Sequence, residues 1–383
     1  MSSHVVIAPD KFKGSLTAPQ VAAHVAAGLR RVHPEMHLTA LPVADGGDGT
    51  VDAAVAAGFT RRQAVVSGPT GEPVTASYAV RDETAVVELA EASGLRVLPR
   101  GVHAPLIASS RGTGELIAAA VADGARRVVL GLGGSACTDG GAGMVAALGV
   151  RLLDSHGRDL PPGGAALRDL DAVDTSALAD HLRGATVVVA SDVDSPLLGR
   201  DGAARVFAPQ KGADPDQVEI LEAGLARLDA IVRRDLGMVV AGHLGAGAAG
   251  GVGFGALAFL SARIEPGIAY LLDLLGFAAH LEGARLVVTG EGSLDAQSLR
   301  GKAPVGVARA AGRAGVPVVA VSGRRALTDE ELRDAGFAGS YALTDLEPDP
   351  ARCMAEAGPL LERLAEEIAR TRLGEPLSPG ATP

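Results

Sequence analysis

Short runs of valine, isoleucine and leucine alternate along this chain with stretches of helical period, and that alternation constrains the fold most. It is the signature of an α/β protein, a mostly parallel sheet covered by helices. The first run is 4–8, and further strand candidates are 38–43, 126–130, 150–153, 186–190, 285–289 and 316–321. A capping box, Thr17-Ala18-Pro19-Gln20, predicts the first helix, with Val21, Val25, Leu29 and Val32 as its buried stripe. A last helix is predicted over 359–372, with Leu360, Leu361, Leu364 and Ile368 inward, and 374–383 reads as a frayed tail. Between residues 63 and 89 the pattern becomes strand, turn, strand, strand. That change predicts an antiparallel entry into a second domain with a mixed sheet.

The 383 residues are 47% apolar, enough for one large or two medium domains. Fifty-one glycines and 22 prolines are too many for a helical bundle. A net charge of −10 without any basic run argues against nucleic acid or an anionic membrane as partner. Two distant cysteines, Cys137 and Cys353, make neither a disulfide framework nor a zinc quartet. The first strand begins almost at Met1, which leaves no room for a signal peptide, so a cytoplasmic, soluble protein is expected. The uncharged stretch 238–262 is long enough to span a bilayer, but its seven glycines read instead as a buried loop opening into a helix. Asparagine is absent and lysine occurs only at Lys11, Lys13, Lys211 and Lys302. Three of these adjoin glycine, the setting of a compact charge that meets phosphate.

The loops at the ends of the strand candidates carry the chemistry. Residues 9–15 read Pro-Asp-Lys-Phe-Lys-Gly-Ser, and Asp45-Gly46-Gly47-Asp48-Gly49 succeeds the second strand. After the next candidate come Gly131-Leu132-Gly133-Gly134-Ser135 and then Asp139-Gly140-Gly141. Ser191-Asp192-Val193-Asp194-Ser195 and Gly290-Glu291-Gly292-Ser293-Leu294-Asp295 complete the set. In open α/β sheets the carboxyl ends of the strands form the ligand crevice, so five such loops together describe one polar site. Glycine lets backbone amides close on phosphate oxygens, lysine adds full charge, and paired carboxylates would hold Mg²⁺. Those are the parts that phosphoryl transfer needs. Neither a P-loop nor the protein-kinase motif set is present.

The competing pattern is a dinucleotide fingerprint, Gly131-x-Gly133-x-x-Ala136 with Asp154 at the end of the next strand candidate. The glycine-rich stretch runs on through Gly141, however, which delays the helix and places Asp139 where a pyrophosphate would lie. A second match, Gly245-x-Gly247-x-x-Gly250, is weaker because its acidic partner Glu265 precedes Pro266. Cys137, inside the glycine loop, reads as a small filler rather than a nucleophile.

At these residues the sequence resembles the type I glycerate kinases. The matching stretches include APDKFKGSLTA (8–18), PVADGGDGT (42–50), GLGGSACTDGGAGM (131–144), SDVDSPLLG (191–199), FAPQKGA (207–213), GAGAAGGVGFG (245–255) and TGEGSLDAQSLRGKAPVGVA (289–308). The resemblance implies ATP- and Mg²⁺-dependent phosphorylation of D-glycerate to 2-phosphoglycerate, with 3-phosphoglycerate the lesser expectation, in organic-acid or sugar-acid catabolism. It also implies two α/β domains: a flavodoxin-like one over 1–62 plus 284–373, and an inserted one over 63–283. D-glycerate is the expected partner, with no nucleic acid or membrane, and a homodimer is left open.

Roles are expected accordingly. Asp192, then Asp194, is the candidate base, with Lys13 completing the catalytic set. Lys13 and Arg111 are candidates for the substrate carboxylate, and Ser15 and Asp45 for further substrate contacts. Gly133, Gly134 and Ser135, or alternatively Gly247, Gly250 and Gly251, would cradle ATP, while Lys211 or Lys302 would neutralise charge. Mg²⁺ is expected on Glu291 and Asp295, with Asp45 as a further candidate. Tyrosine is common in that family at the position of Arg111, so a guanidinium there bears on the choice of acid.

Overall fold

The computed structural model describes residues 4–374. Among them thirteen strands succeed one another in chain order: β1 (His4–Pro9), β2 (His37–Ala40), β3 (Thr60–Ser67), β4 (Pro73–Arg81), β5 (Thr84–Glu88), β6 (Arg127–Gly131), β7 (Arg151–Leu153), β8 (Ala172–Asp174), β9 (Thr186–Ala190), β10 (Arg263–Glu265), β11 (Ala284–Leu294), β12 (Val318–Arg325) and β13 (Gly339–Ala342). The chain divides into two compact units, Met1–Ala44 with Ile268–Pro383, and Asp45–Gly267.

The first unit, made from both chain ends, carries a five-stranded sheet in the order β13-β12-β11-β1-β2, and every neighbouring pair is parallel. Counted within the unit and read from β2, that order is 2-1-3-4-5, the flavodoxin-like arrangement. Its switch point lies between β1 and β11, where the connections leave in opposite directions and the strand ends open a crevice. The helix Ala18–Val32 starts as the sequence predicts. The Thr17 amide donates to Gln20 Oε1 at 2.9 Å, and Thr17 Oγ1 accepts from the Gln20 amide at 3.4 Å. Its apolar stripe, Val21, Val25 and Leu29, packs into one core with Leu361 and Leu364 of the helix Ala357–Ile368. Each such side chain contributes roughly 1.5–3 kcal/mol on leaving water. That last helix ends in a wider, π-type turn over Ala369–Leu373. Of the tail expected at 374–383, all but Gly374 lies outside the described residues.

The second unit holds a six-stranded sheet in the order β10-β9-β6-β5-β4-β3. The β3-β4 and β4-β5 pairs are antiparallel, as the 63–89 pattern predicts, whereas β5-β6, β6-β9 and β9-β10 are parallel. It is therefore a mixed sheet. The strand expected at 150–153 is not part of it, because β7 pairs antiparallel with β8 in a separate two-stranded sheet. A strand buried on both faces of a parallel sheet must be apolar throughout, and Arg151 is exposed and bound to Asp159 instead. The division between units falls earlier than the expected 62/63 and 283/284. The helix Thr50–Ala56 packs on β4 and β5 of the second unit. Ile268, in the helix Gly267–Leu274, packs on Gly306 of the helix Ala303–Arg313 within the first unit. The uncharged stretch 238–262 is a loop that leads into the helix Ala248–Leu260. Among the described residues no helix is long and apolar enough to cross a membrane.

Candidate active site

Four parallel strands of the second unit end in one row. Glu88 pairs in register with Gly131, Gly131 with Ala190, and Ala190 with Glu265. The loop Asp45–Gly49 lies on that row. A Cβ on Gly46, whose φ is +90°, would come within 2.2 Å of the Ala190 carbonyl oxygen. A Cβ on Gly133 would come within 2.3 Å of the Gly47 Cα, and the Gly133 amide donates to the Gly46 carbonyl at 3.1 Å. Only glycine allows two backbones to approach this closely. The Asp45 carboxylate accepts from the Gly47 amide at 3.1 Å and so holds the turn.

Asp192 is the second residue after β9 and is exposed, with Oδ1 accepting from the Gly267 amide at 2.9 Å. The Asp45 carbonyl flanks the same Gly267, so Asp45 and Asp192 adjoin one another there. Asp194 is exposed two residues further along the loop. Gly134 is exposed and Gly133 half-buried, while Ser135 is buried. The Leu95 amide donates to the Gly134 carbonyl at 2.9 Å, which pins this loop. The structure thus packs the Asp45–Gly49 loop on Gly133 and, through Gly267, sets Asp45 next to Asp192.

The expectation for four other residues is revised. Cβ positions on Gly247, Gly250 and Gly251 are filled by the Pro196 carbonyl, the Cys137 carbonyl and the Gly140 Cα respectively, so their small size serves packing and not an open phosphate cradle. Lys211 is buried, and its ammonium donates to the Cys137 carbonyl. Burial pushes its pKa down, against the pull of Cys137 and Asp139. The amine ties the Cys137 loop to the turn Pro209–Lys211, while the Gly140 amide, donating to the Gly250 carbonyl at 3.0 Å, ties that loop to the helix Ala248–Leu260. Cys137 itself is buried, and burial raises its thiol, as suits a filler. Arg111 opens the helix Arg111–Ala122 and is exposed; its Nε donates to Glu115 one turn on, at 2.9 Å.

Two acids of this unit are given no role by the sequence, although Asp139 stands in the glycine-rich loop after β6. Asp139 is fully buried; Oδ2 accepts from the Ser110 amide (2.8 Å), the Ser110 hydroxyl (2.9 Å) and the Gly143 amide (3.2 Å). It thereby joins the starts of two helices. Glu88 is 1% exposed and accepts from the Gly49 and Val51 amides at 3.0 and 3.2 Å. Burial pushes its carboxyl up to about 7, although Arg96 and the two amides pull it back.

In the first unit the switch point gathers the remaining candidates. The Asp10 amide donates to the Gly290 carbonyl at 2.8 Å, and a Cβ on Gly292 would stand 3.2 Å from the Lys13 amide. The Lys13 backbone therefore lies after β1 beside Gly292, Ser15 turns back on the Phe12 carbonyl, and Glu291 is 8% exposed near the end of β11. Lys302, at the start of the helix Ala303–Arg313, reaches Glu291 Oε2 at 3.8 Å. Asp295 accepts from the Gln297 amide at 2.9 Å and the Ser293 hydroxyl at 3.2 Å. Partial burial opposes its charge, but those two donors and Lys302 together hold the carboxyl below its usual range. Among the described residues no group of three or more His, Cys, Asp or Glu side chains is placed to hold a metal ion. A carboxylate pair is nevertheless what Mg²⁺ takes from protein when phosphates and water complete its shell, and Glu291 with an ionised Asp295 supplies donors of that chemistry.

The dinucleotide pattern loses its support. β7 is outside the main sheet, and Asp154 closes its own turn by accepting from the His156 and Arg158 amides at 2.8 and 3.0 Å.

Comparison with known proteins agrees with the motif reading. The model of the glycerate kinase family matches residues 5–373. A glycerate kinase of Bacillus subtilis (strain 168) is 42% identical over 368 residues, covering 95% of this chain and 96% of that protein. The glycerate 2-kinase of Escherichia coli (strain K12) is 43% identical over 329 residues, covering 85% and 86%. A crystal structure from Salmonella typhimurium LT2, provisionally named glycerate kinase 2, superposes with a TM-score of 0.84 at 39% identity, covering 97% of this chain and 98% of that one. The chain belongs to the glycerate kinase family and is an enzyme of the kinase class.

Proposed function

We propose that this enzyme transfers the γ-phosphoryl group of ATP to D-glycerate in the cytoplasm, giving 2-phosphoglycerate and ADP in organic-acid or sugar-acid catabolism. The observation that carries the reading is the exposed Asp192 carboxylate, fixed by the Gly267 amide and adjoining Asp45, whose loop packs on Gly133. Asp192 accepts the proton of the attacking hydroxyl as the new O–P bond forms and the bond to the ADP oxygen breaks. Asp194 is the second choice for that role. Lys13 and Arg111 are the candidates for the acid's carboxylate, and Ser15 and Asp45 those for its further contacts. The Gly133–Gly134 backbone and Ser135 face ATP phosphate, and Lys302 offsets charge as ADP leaves. Glu291 and Asp295 would hold Mg²⁺, whose chemistry is to neutralise phosphate charge and orient the phosphates. The 2-position is supported by the name of the Escherichia coli relative.

The product, resolved by phosphorus NMR, is expected to be 2-phosphoglycerate; 3-phosphoglycerate as the main product would overturn the regiochemistry. A Glu291→Gln, Asp295→Asn double variant is expected to weaken Mg²⁺–ATP binding by about tenfold or more, as loss of two charged ligands should. Titration calorimetry that finds wild-type affinity would move the metal elsewhere.

A further inference from the structure

Glu88 has no part in the reaction above, yet it is a carboxylate placed inside the protein at the end of β5, in register with Gly131. A buried acid is retained only where its bonds answer for its lost hydration. Those bonds converge on one loop. Oε2 accepts from the amides of Gly49 and Val51, at the start of the helix Thr50–Ala56. Oε1 accepts from the Arg96 guanidinium at 3.2 Å, and Arg96 is itself held by the Ala90 carbonyl and by Glu91. Helices are usually capped by a serine, threonine, aspartate or asparagine at the first position. Here that position is Gly49, which has no side chain to do so, and Glu88 caps from another strand. Gly49 also ends the Asp45–Gly49 loop, whose other contacts include Ala190, Gly133 and Gly267. The loop is therefore clamped at Gly46 and Gly47 by close packing and at Gly49 by Glu88.

We infer that Glu88 is a positioning residue, which sets the Asp45–Gly49 loop so that Asp45 meets the acid substrate. The inference rests on the reading that this loop contacts D-glycerate. Titration of Glu88 supports it: burial lifts the carboxyl to about 7, so the charged clamp weakens as pH falls through that value. The charges acting on it are Arg96 and Glu91 from the segment after β5, while Asp45, Asp48 and Asp52 belong to the loop and helix that it caps.

The test is steady-state kinetics of Glu88→Gln and Glu88→Ala in the full-length enzyme, from about pH 6 to about pH 8.5. The KM for D-glycerate is expected to rise about tenfold or more in the alanine variant and roughly threefold in the glutamine variant, which keeps one acceptor oxygen. The KM for ATP should stay within about twofold. In the wild type the glycerate KM should rise below about pH 7, and in Glu88→Gln that dependence should vanish. If the alanine variant does not fold, the glutamine variant decides. A glycerate KM at the wild-type value across the pH range, or a fall in kcat with both KM values unchanged, would overturn the positioning role. Wild-type turnover is measured first in the same assay. Without it both readings fall; with it, an unchanged KM removes only that of Glu88.

Discussion

Asp192→Asn is expected to lower kcat by about 10²–10⁴-fold, the range that a positioned general base contributes. The substitution is nearly isosteric, and the carboxamide oxygen can still accept from the Gly267 amide, a bond of 2.9 Å in the native loop. Loop conformation and thermal stability should therefore survive, and KM values should move little. What the amide cannot do is take the proton of the attacking hydroxyl. A large loss in kcat with unchanged unfolding temperature is the expected signature. Near-full turnover in a folded Asp192→Asn enzyme would transfer the role to Asp194, which is exposed on the same loop.

Gly133→Ala is the second large effect. The new methyl carbon would stand 2.3 Å from the Gly47 Cα, and both partners are backbone, so no side chain can turn aside. Either the Asp45–Gly49 loop or the Gly131–Ser135 loop must move by about 1 Å, and overpacking of this kind costs about 1–3 kcal/mol. A displacement of that size at a reacting centre costs about 10²-fold in rate. The expected result is a folded protein with a lowered unfolding temperature and kcat/KM reduced by about 10²-fold. Native activity in Gly133→Ala would mean that neither loop touches a substrate.

Much of the architecture is legible in the sequence because local signals and tertiary structure agree. The Thr17–Gln20 capping box, the run 186–190 and the hairpin pattern at 63–89 each declare themselves within a few residues, and the α/β class emerges from their alternation. Glu88 is hidden for a topological reason. The pattern that marks β3, β4 and β5 as antiparallel does not reveal that β5 also pairs parallel with β6, which places its end among the site-bearing strand ends. The strand-end rule that singles out Asp192 finds Glu88 as well once it is applied to β5. Lys211 and the glycines at 247, 250 and 251 show the opposite failure. Their residue types suit phosphate, but whether an ammonium or a glycine faces solvent or a neighbouring backbone is decided by contacts distant in sequence. Leu152 and its neighbours read as a sheet strand because three residues cannot disclose which sheet they join.

The measurement that bears most directly on the proposed reaction is ADP release by the purified protein with Mg²⁺–ATP and D-glycerate, run beside L-glycerate and a control without acid. Turnover is predicted with D-glycerate, little with L-glycerate and none without acid. Folded protein that releases no ADP with D-glycerate, or releases it equally without acid, would contradict the assignment.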